Sequence, residues 1–143
     1  LVSLVFIGGL LLTEFALMPI FRDLWPRPRP FTYMEAIHTI GHKWDRPSFP
    51  SAHAHLWLQA TVLFGVVFRT WRWPLIVLSA LVCYARPYAG VHHVLDVIAG
   101  IGLGTAIGLL DIAAASALGL LPCKPLERDE GPSSTANDAN VRE

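Results

Sequence analysis

Residues 94–121 read VLDVIAGIGLGTAIGLLDIAAASALGLL. A helix needs about 20 mostly apolar residues to cross the hydrocarbon core of a bilayer, and this run exceeds that. Gly100, Gly104 and Gly108 recur at four-residue spacing, which puts three small residues on one helical face and permits close helix packing. Outward from this run, three more apolar segments occupy residues 1–21, 55–68 and 73–84. The first is long enough to span. The middle two reach spanning length only by including the polar residues beside them, which places His53, His55 and Arg86 at membrane-edge depth within a bundle. At 53% hydrophobic residues and a mean hydropathy of +0.46, the 143-residue chain is too apolar for an ordinary water-soluble domain. The expected fold is therefore all-α: a polytopic membrane helix bundle with about four transmembrane helices.

The segments between the helices differ in kind. Residues 22–50 form a long loop with Pro26, Pro28, Pro30, Pro47, Pro50 and five basic side chains, and a loop of that length in a compact fold usually has a function. Residues 69–73, Arg-Thr-Trp-Arg-Trp, make a short basic and aromatic turn suited to a membrane interface. The membrane domain is expected to fill residues 1–121, and residues 122–143 to form a disordered polar tail with nothing apolar to bury. Cys83 and Cys123 give neither a disulfide framework nor a metal spacing and read as inert thiols. The opening residues lack the basic stretch and cleavage site of a signal peptide and read as the stump of a longer chain. Formal net charge is +0, so nothing global points to nucleic acid.

Charge is nevertheless concentrated locally. With four helices the ends alternate sides, so the end of the first, the start of the second, the end of the third and the start of the fourth share one membrane face. Arg22, Arg27, Arg29, Ser51, His53, Arg86, His92 and Asp96 all fall there. His92 and Asp96 are four apart, a spacing that on a helix lets the carboxylate orient the imidazole and fix its tautomer. Arginines supply planar clamps for a phosphate and for the charge that develops on it. Ser51 precedes a helix start, where a hydroxyl and backbone N–H groups bind anions.

These residues resemble the type 2 phosphatidic acid phosphatase superfamily, whose three motifs are Lys-x6-Arg-Pro, Pro-Ser-Gly-His and Ser-Arg-x5-His-x3-Asp. Here they stand, in order and in register, as Arg22-Asp-Leu-Trp-Pro-Arg-Pro-Arg29-Pro30, Pro50-Ser51-Ala52-His53, and Ala85-Arg86-Pro-Tyr-Ala-Gly-Val-His92-His-Val-Leu-Asp96. The resemblance implies a phosphatase acting on a lipid phosphate or a lipid (polyprenyl) pyrophosphate at the membrane edge, with no metal or other cofactor. By the same resemblance His92 is the nucleophile that forms a phosphohistidine, Asp96 holds its ring, and His53 is the general acid and then base. Arg22, Arg29, Ser51 and Arg86 hold the phosphoryl oxygens. Three positions depart from the pattern: Arg22 exchanges a compact ammonium for a wider fork, Ala52 adds a methyl where the family has glycine, and Ala85 removes a hydroxyl. The family usually has further helices upstream.

Other readings stand beside this one. A phosphotransferase would use the same phosphohistidine, a vanadate-dependent haloperoxidase shares such a pocket but is usually soluble, and a non-catalytic membrane fragment would use none of it. His53, His55, His92, His93 and Asp96 also suit zinc or iron, although the arginines would repel a cation. His55, about 200° around a helix from His53, reads as a packing or interfacial residue and His93 as a polar neighbour of the nucleophile. His38 and His42 read as solvated loop residues, Glu14 as a structural pairing partner, and Tyr88 and the tryptophans as interface anchors. Arg27 and Arg46 either guide an anionic head group or are solvated. A count of positive charges (Arg22, Arg27, Arg29, Lys43, Arg46 and Arg86 against Arg69, Arg72, Lys124, Arg128 and Arg142) would put the site in the cytoplasm. The resemblance instead implies an extracytoplasmic site on the plasma membrane, with membrane lipids and a phosphorylated lipid as partners.

Overall fold

The computed structural model describes residues 1–34, 39 and 45–121. His38, His42 and Lys43 lie outside the described residues, as does the expected tail at 122–143 with Cys123. Among the described residues every regular element is a helix, without strands. The first helical run has three parts: α1 (Val2–Leu12), a π-helical turn at Thr13–Leu17, and α2 (Met18–Leu24). Pro19 accounts for the widening. It has no N–H to give the carbonyl four residues back and its ring crowds that carbonyl, so a looser turn precedes it. The backbone N–H of Met18 reaches back to the Thr13 carbonyl, and the Thr13 hydroxyl donates to the Gly9 carbonyl at 2.8 Å.

After the long loop come α3 (Ala52–Val67), a 3-10 turn at Arg69–Trp71, α4 (Arg72–Tyr88) and α5 (Val94–Ala117). Arg72 at the start of α4 donates from Nε to the Gly65 carbonyl at 3.1 Å, satisfying one of the carbonyls that a helix end leaves open. Two runs are long and apolar enough to cross a membrane, Val2–Leu24 and Val94–Ala117. Ala52–Val67 is apolar but has only 16 residues, about 24 Å at 1.5 Å per residue against a core of about 30 Å.

α3 is the central helix and packs on α5, α4 and α1. The glycine stripe of α5 makes the α3 contact close. A Cβ at Gly100 would fall 2.6 Å from the Ser51 carbonyl oxygen and 2.9 Å from the Ala54 Cβ. One at Gly108 would fall 2.8 Å from the Val62 Cβ, and one at Gly104 would strike the His55 backbone. Side-chain hydrogen bonds tie the same helices: Thr61 to Ser79 at 2.6 Å, and Gln59 Nε2 donating to Asp111 Oδ2 at 2.7 Å. Gln59 Nε2 also lies 3.3 Å from the Phe6 carbonyl oxygen in α1. Among the described residues ten polar side chains are buried against nine hydrophobic ones, while Leu4, Phe15, Leu81, Leu110 and many other large apolar side chains are exposed. A water-soluble domain would show the reverse bias, and this arrangement suits a bundle surrounded by lipid.

Candidate active site

The site forms where the end of α2, the loop after it, the start of α3 and the turn from α4 to α5 meet. Gly90 makes that last turn possible: its φ of 69° lies in the left-handed region that glycine enters without a Cβ penalty. The chain then leaves α4 and delivers Val91 and His92 before α5 begins. At the other side of the site the Ser51 backbone N–H donates to the Asp96 carbonyl at 3.0 Å, which locks the start of α3 to the first turn of α5.

His92 is buried, and its Nδ1 sits 2.8 Å from the Ser48 carbonyl oxygen. A carbonyl only accepts, so Nδ1 carries the ring proton and Nε2 presents a lone pair. That lone pair faces Nη1 of Arg29 at 3.4 Å. Arg29 is fixed in turn, donating from Nη1 to the Val91 carbonyl and from Nε to the Arg46 carbonyl, both at 2.9 Å. Burial, and after it the neighbouring Arg22 guanidinium, lower the Arg29 pKa from its ordinary value, while Asp96 pulls the other way. An arginine so shifted is still a cation at any physiological pH.

Asp96 lies beside His92 as expected, but not on a shared helical face. Asp96 Oδ2 is 3.8 Å from His92 Nδ1, close enough for charge attraction and too far for a hydrogen bond. The reason is where the helix starts. α5 begins at Val94 with His93 as its N-cap, so His92 precedes the helix and does not share a helical face with Asp96. The carboxylate sits at the third helical position and turns back to the cap: Oδ2 accepts from the His93 backbone N–H at 2.9 Å and lies 3.1 Å from His93 Nδ1. Its Oδ1 takes Nη1 of Arg27 at 3.1 Å. Arg27 is therefore an ion-pair partner of Asp96, neither a free guide nor a solvated charge. His93 is likewise a cap residue, and its Nε2 meets the Tyr33 hydroxyl at 2.7 Å.

The remaining expected residues gather around His92. His53 stands exposed in the first turn of α3, with the Arg86 and Arg29 guanidinium groups and the His92 ring as neighbours. Ser51 is fully buried as the α3 N-cap. Its oxygen accepts from the Ala54 N–H at 3.5 Å, leaving the hydroxyl proton free to donate. Among the described residues, Arg22 and Arg86 each carry a buried Nε with no hydrogen-bond partner. Buried donors of this kind are rare in folded proteins and mark a site that an acceptor completes. Arg22 neighbours Arg29 and Arg86 neighbours His53, so three guanidinium groups, a helix N-terminus and a ring nitrogen with a lone pair lie in one region, and together they suit an anion with several oxygens.

Sequence reasoning missed Ser48. It is buried, its backbone N–H donates to the Arg27 carbonyl at 2.9 Å, and its own carbonyl does the work on His92. A backbone carbonyl leaves no trace in side-chain identity, so no motif could have pointed to it. His55 is fully buried, not interfacial, and lies 3.9 Å from Glu14.

Residues 3–118 match the family model of the PAP2 superfamily. Similar curated proteins include an undecaprenyl-diphosphatase of Sulfolobus acidocaldarius, 37% identical over 89 residues, covering 62% of this chain and 43% of that protein. A lipid A 4'-phosphatase of Porphyromonas gingivalis is 29% identical over 93 residues, covering 63% of this chain and 39% of that protein. Sphingosine-1-phosphate phosphatase 1 of Mus musculus is 35% identical over 86 residues, covering 53% and 19%. The chain spans less than half the length of these relatives. No solved structure matches the chain significantly.

Proposed function

Since this chain belongs to the PAP2 superfamily, we propose that it is a membrane phosphatase that hydrolyses a lipid phosphate or a lipid (polyprenyl) diphosphate through a phosphohistidine. One observation carries the reading: among the described residues the buried Nε atoms of Arg22 and Arg86 have no partner, and these arginines neighbour Arg29 and His53, around a histidine whose tautomer points the Nε2 lone pair at Arg29. The similar proteins are named for phosphorylated lipids or their polyprenyl equivalents, which supports the substrate class.

In the first step the His92 Nε2 lone pair attacks phosphorus and the bond to the lipid oxygen breaks. His53 gives its proton to that leaving oxygen. Arg22, Arg29, Arg86 and the Ser51 hydroxyl hold the phosphoryl oxygens as charge shifts among them. In the second step neutral His53 takes a proton from water, the water oxygen attacks phosphorus, and the P–N bond breaks. Phosphate leaves and Nε2 recovers its lone pair. The Ser48 carbonyl stabilises the Nδ1–H that becomes more acidic once Nε2 is phosphorylated. Asp96, with Arg27 balancing its charge, adds attraction at longer range. Arg22, Arg29 and Arg86 at the centre would repel a metal cation, so the reaction is metal-independent in this proposal. Four helices cross the membrane, the shorter two with the help of their polar flanks, and the site faces outward from the plasma membrane.

The test is phosphate release in detergent from phosphatidate, phosphatidylglycerophosphate and polyprenyl diphosphate, with chelator present. Activity that persists under chelation and drops by at least about 10⁴-fold in His92→Ala is expected, as for loss of a covalent nucleophile. A His92→Ala protein that works at the parent rate would overturn the proposal. Adding an acceptor alcohol separates the phosphotransferase, which would pass phosphate to the alcohol in place of water.

A further inference from the structure

We infer that the groove between α4 and α5 is the seat of the hydrocarbon chain of the phosphorylated substrate. The inference rests on the lipid-phosphatase reading above and adds which face of the bundle takes the lipid. α4 and α5 both pack on α3 and touch each other little, and between them lies a cavity of about 430 Å³. Cys83, Tyr84 and Tyr88 of α4 face Val97, Ile98 and Ile101 of α5 across it.

Its position ties it to the site. Pro87 at one edge follows Arg86 directly, and Val94 at the other lies two residues after His92. The groove thus starts one residue along the chain from Arg86 and two from His92, on the side of the bundle where α4 and α5 end and begin at the site. From there Val94 to Ile101 extends seven residues, about 10 Å at 1.5 Å per residue. The neighbouring route is closed. Along the α3–α5 seam even a methyl at Gly100 would collide with Ser51 and Ala54, and one at Gly104 with the His55 backbone. No hydrocarbon chain enters where a methyl does not fit. The groove wall also grades in the right direction. Tyr84 and Tyr88 stack with ring centroids 6.0 Å apart, each 70% exposed, and tyrosines combine an apolar body with a polar tip suited to the level where head group meets chain.

The experiment has two arms. In the first, Ile98→Trp and Ile101→Trp fill the groove from its exposed and half-buried walls, and turnover of a long-chain lipid phosphate is compared with that of a short, water-soluble alkyl phosphate. The ratio of the two kcat/KM values is expected to drop by about tenfold, through KM, as when a hydrophobic pocket loses room for part of a chain. In the second arm, His92→Ala protein is photolabelled with an alkyl phosphate carrying a mid-chain diazirine. Labels are expected on α4 and α5, competed by unlabelled alkyl phosphate and not reproduced by the corresponding alcohol. Equal losses for both substrates, or labels away from α4 and α5, would overturn the inference. So would labelling by the alcohol as strong as by the phosphate, which would mean only a surface that faces lipid. If the parent hydrolyses neither substrate, the phosphatase reading fails instead, and the labelling arm still reports on the groove by itself.

Discussion

Two polar regions sit inside this apolar bundle, and they differ in which hydrogen-bonding capacity is left over. At the helix ends the unspent atoms are cationic donors, the Nε groups of Arg22 and Arg86. Between α1, α3, α4 and α5 lies a polar seam of Thr61, Ser79, Gln59, Asp111, His55 and Glu14, where polar groups chiefly meet one another across helices. Its unspent atoms are Gln59 Oε1 and the two ring nitrogens of His55, and the seam meets the site where His55 neighbours the Arg22 guanidinium. Polarity inside a membrane bundle does not by itself mark chemistry. Leftover donors of one charge point to an acceptor beyond the described residues, whereas cross-helix pairs mostly satisfy themselves.

The largest effect that separates the regions is expected from Arg86→Gln and Arg22→Gln. Removing one charged donor from a phosphoryl clamp typically lowers kcat by about 10²–10³-fold. Neither Nε has a partner to lose among the described residues, so the unfolding midpoint in detergent is expected to hold or rise. Loss of fold together with activity would mean that these arginines belong to the scaffold.

How far the sequence revealed this division can be argued from single residues. The helices were legible because apolar runs of this length have one stable form in lipid, and the glycine stripe because its four-residue spacing survives on any helix. The charged residues of the site were legible because they gather at alternating helix ends. His92 and Asp96 were paired correctly in space but through the wrong geometry, since the helix start at Val94 falls between them and a boundary shift of two residues changes which face each occupies. Ser48 was invisible because its contribution is a carbonyl. Arg27 was left open because an ion pair across 69 residues depends on how the loop folds back, which no local pattern encodes.

Within the seam, the next largest effect is expected from Gly104→Ile. Its side chain would run into the His55 backbone, and overpacking of a tight contact costs about 1–3 kcal/mol. The same substitution pushes α5 from α3 and strains the Ser51–Asp96 hydrogen bond, so activity per folded molecule is expected to drop with stability. Gln59→Leu is milder and purely structural. It strands Asp111, whose Oδ2 accepts from Gln59, at a cost of about 1–2 kcal/mol, with catalysis by the folded fraction unchanged. His55→Phe is expected to cost less than Gln59→Leu, because neither ring nitrogen loses a hydrogen bond. Destabilisation beyond that of Gln59→Leu would show that the 3.9 Å Glu14 contact holds the seam.

The smallest effect tests whether the site's own scaffold is closed in the same way as the seam. Asp96 accepts only, so His93 Nδ1 donates to it and His93 Nε2 accepts from the Tyr33 hydroxyl. The chain of contacts runs from Tyr33 through His93 and Asp96 to Arg27, tying the loop that carries Arg29 to the first turn of α5. Tyr33→Phe removes only the hydroxyl. The stacked rings, 6.2 Å apart with 16° between their planes, remain, and so does the His93 backbone bond to Asp96. One hydrogen bond at an exposed position contributes about 0.5–1.5 kcal/mol, so kcat/KM is expected to drop a few-fold without loss of fold. His93→Ala removes the stack and the Nδ1 contact as well and is expected to lower it further. If Tyr33→Phe instead matches His93→Ala, the hydroxyl carries the tether. If both match the parent, Arg29 is held by the Val91 and Arg46 carbonyls alone, and the loop needs no link to Asp96.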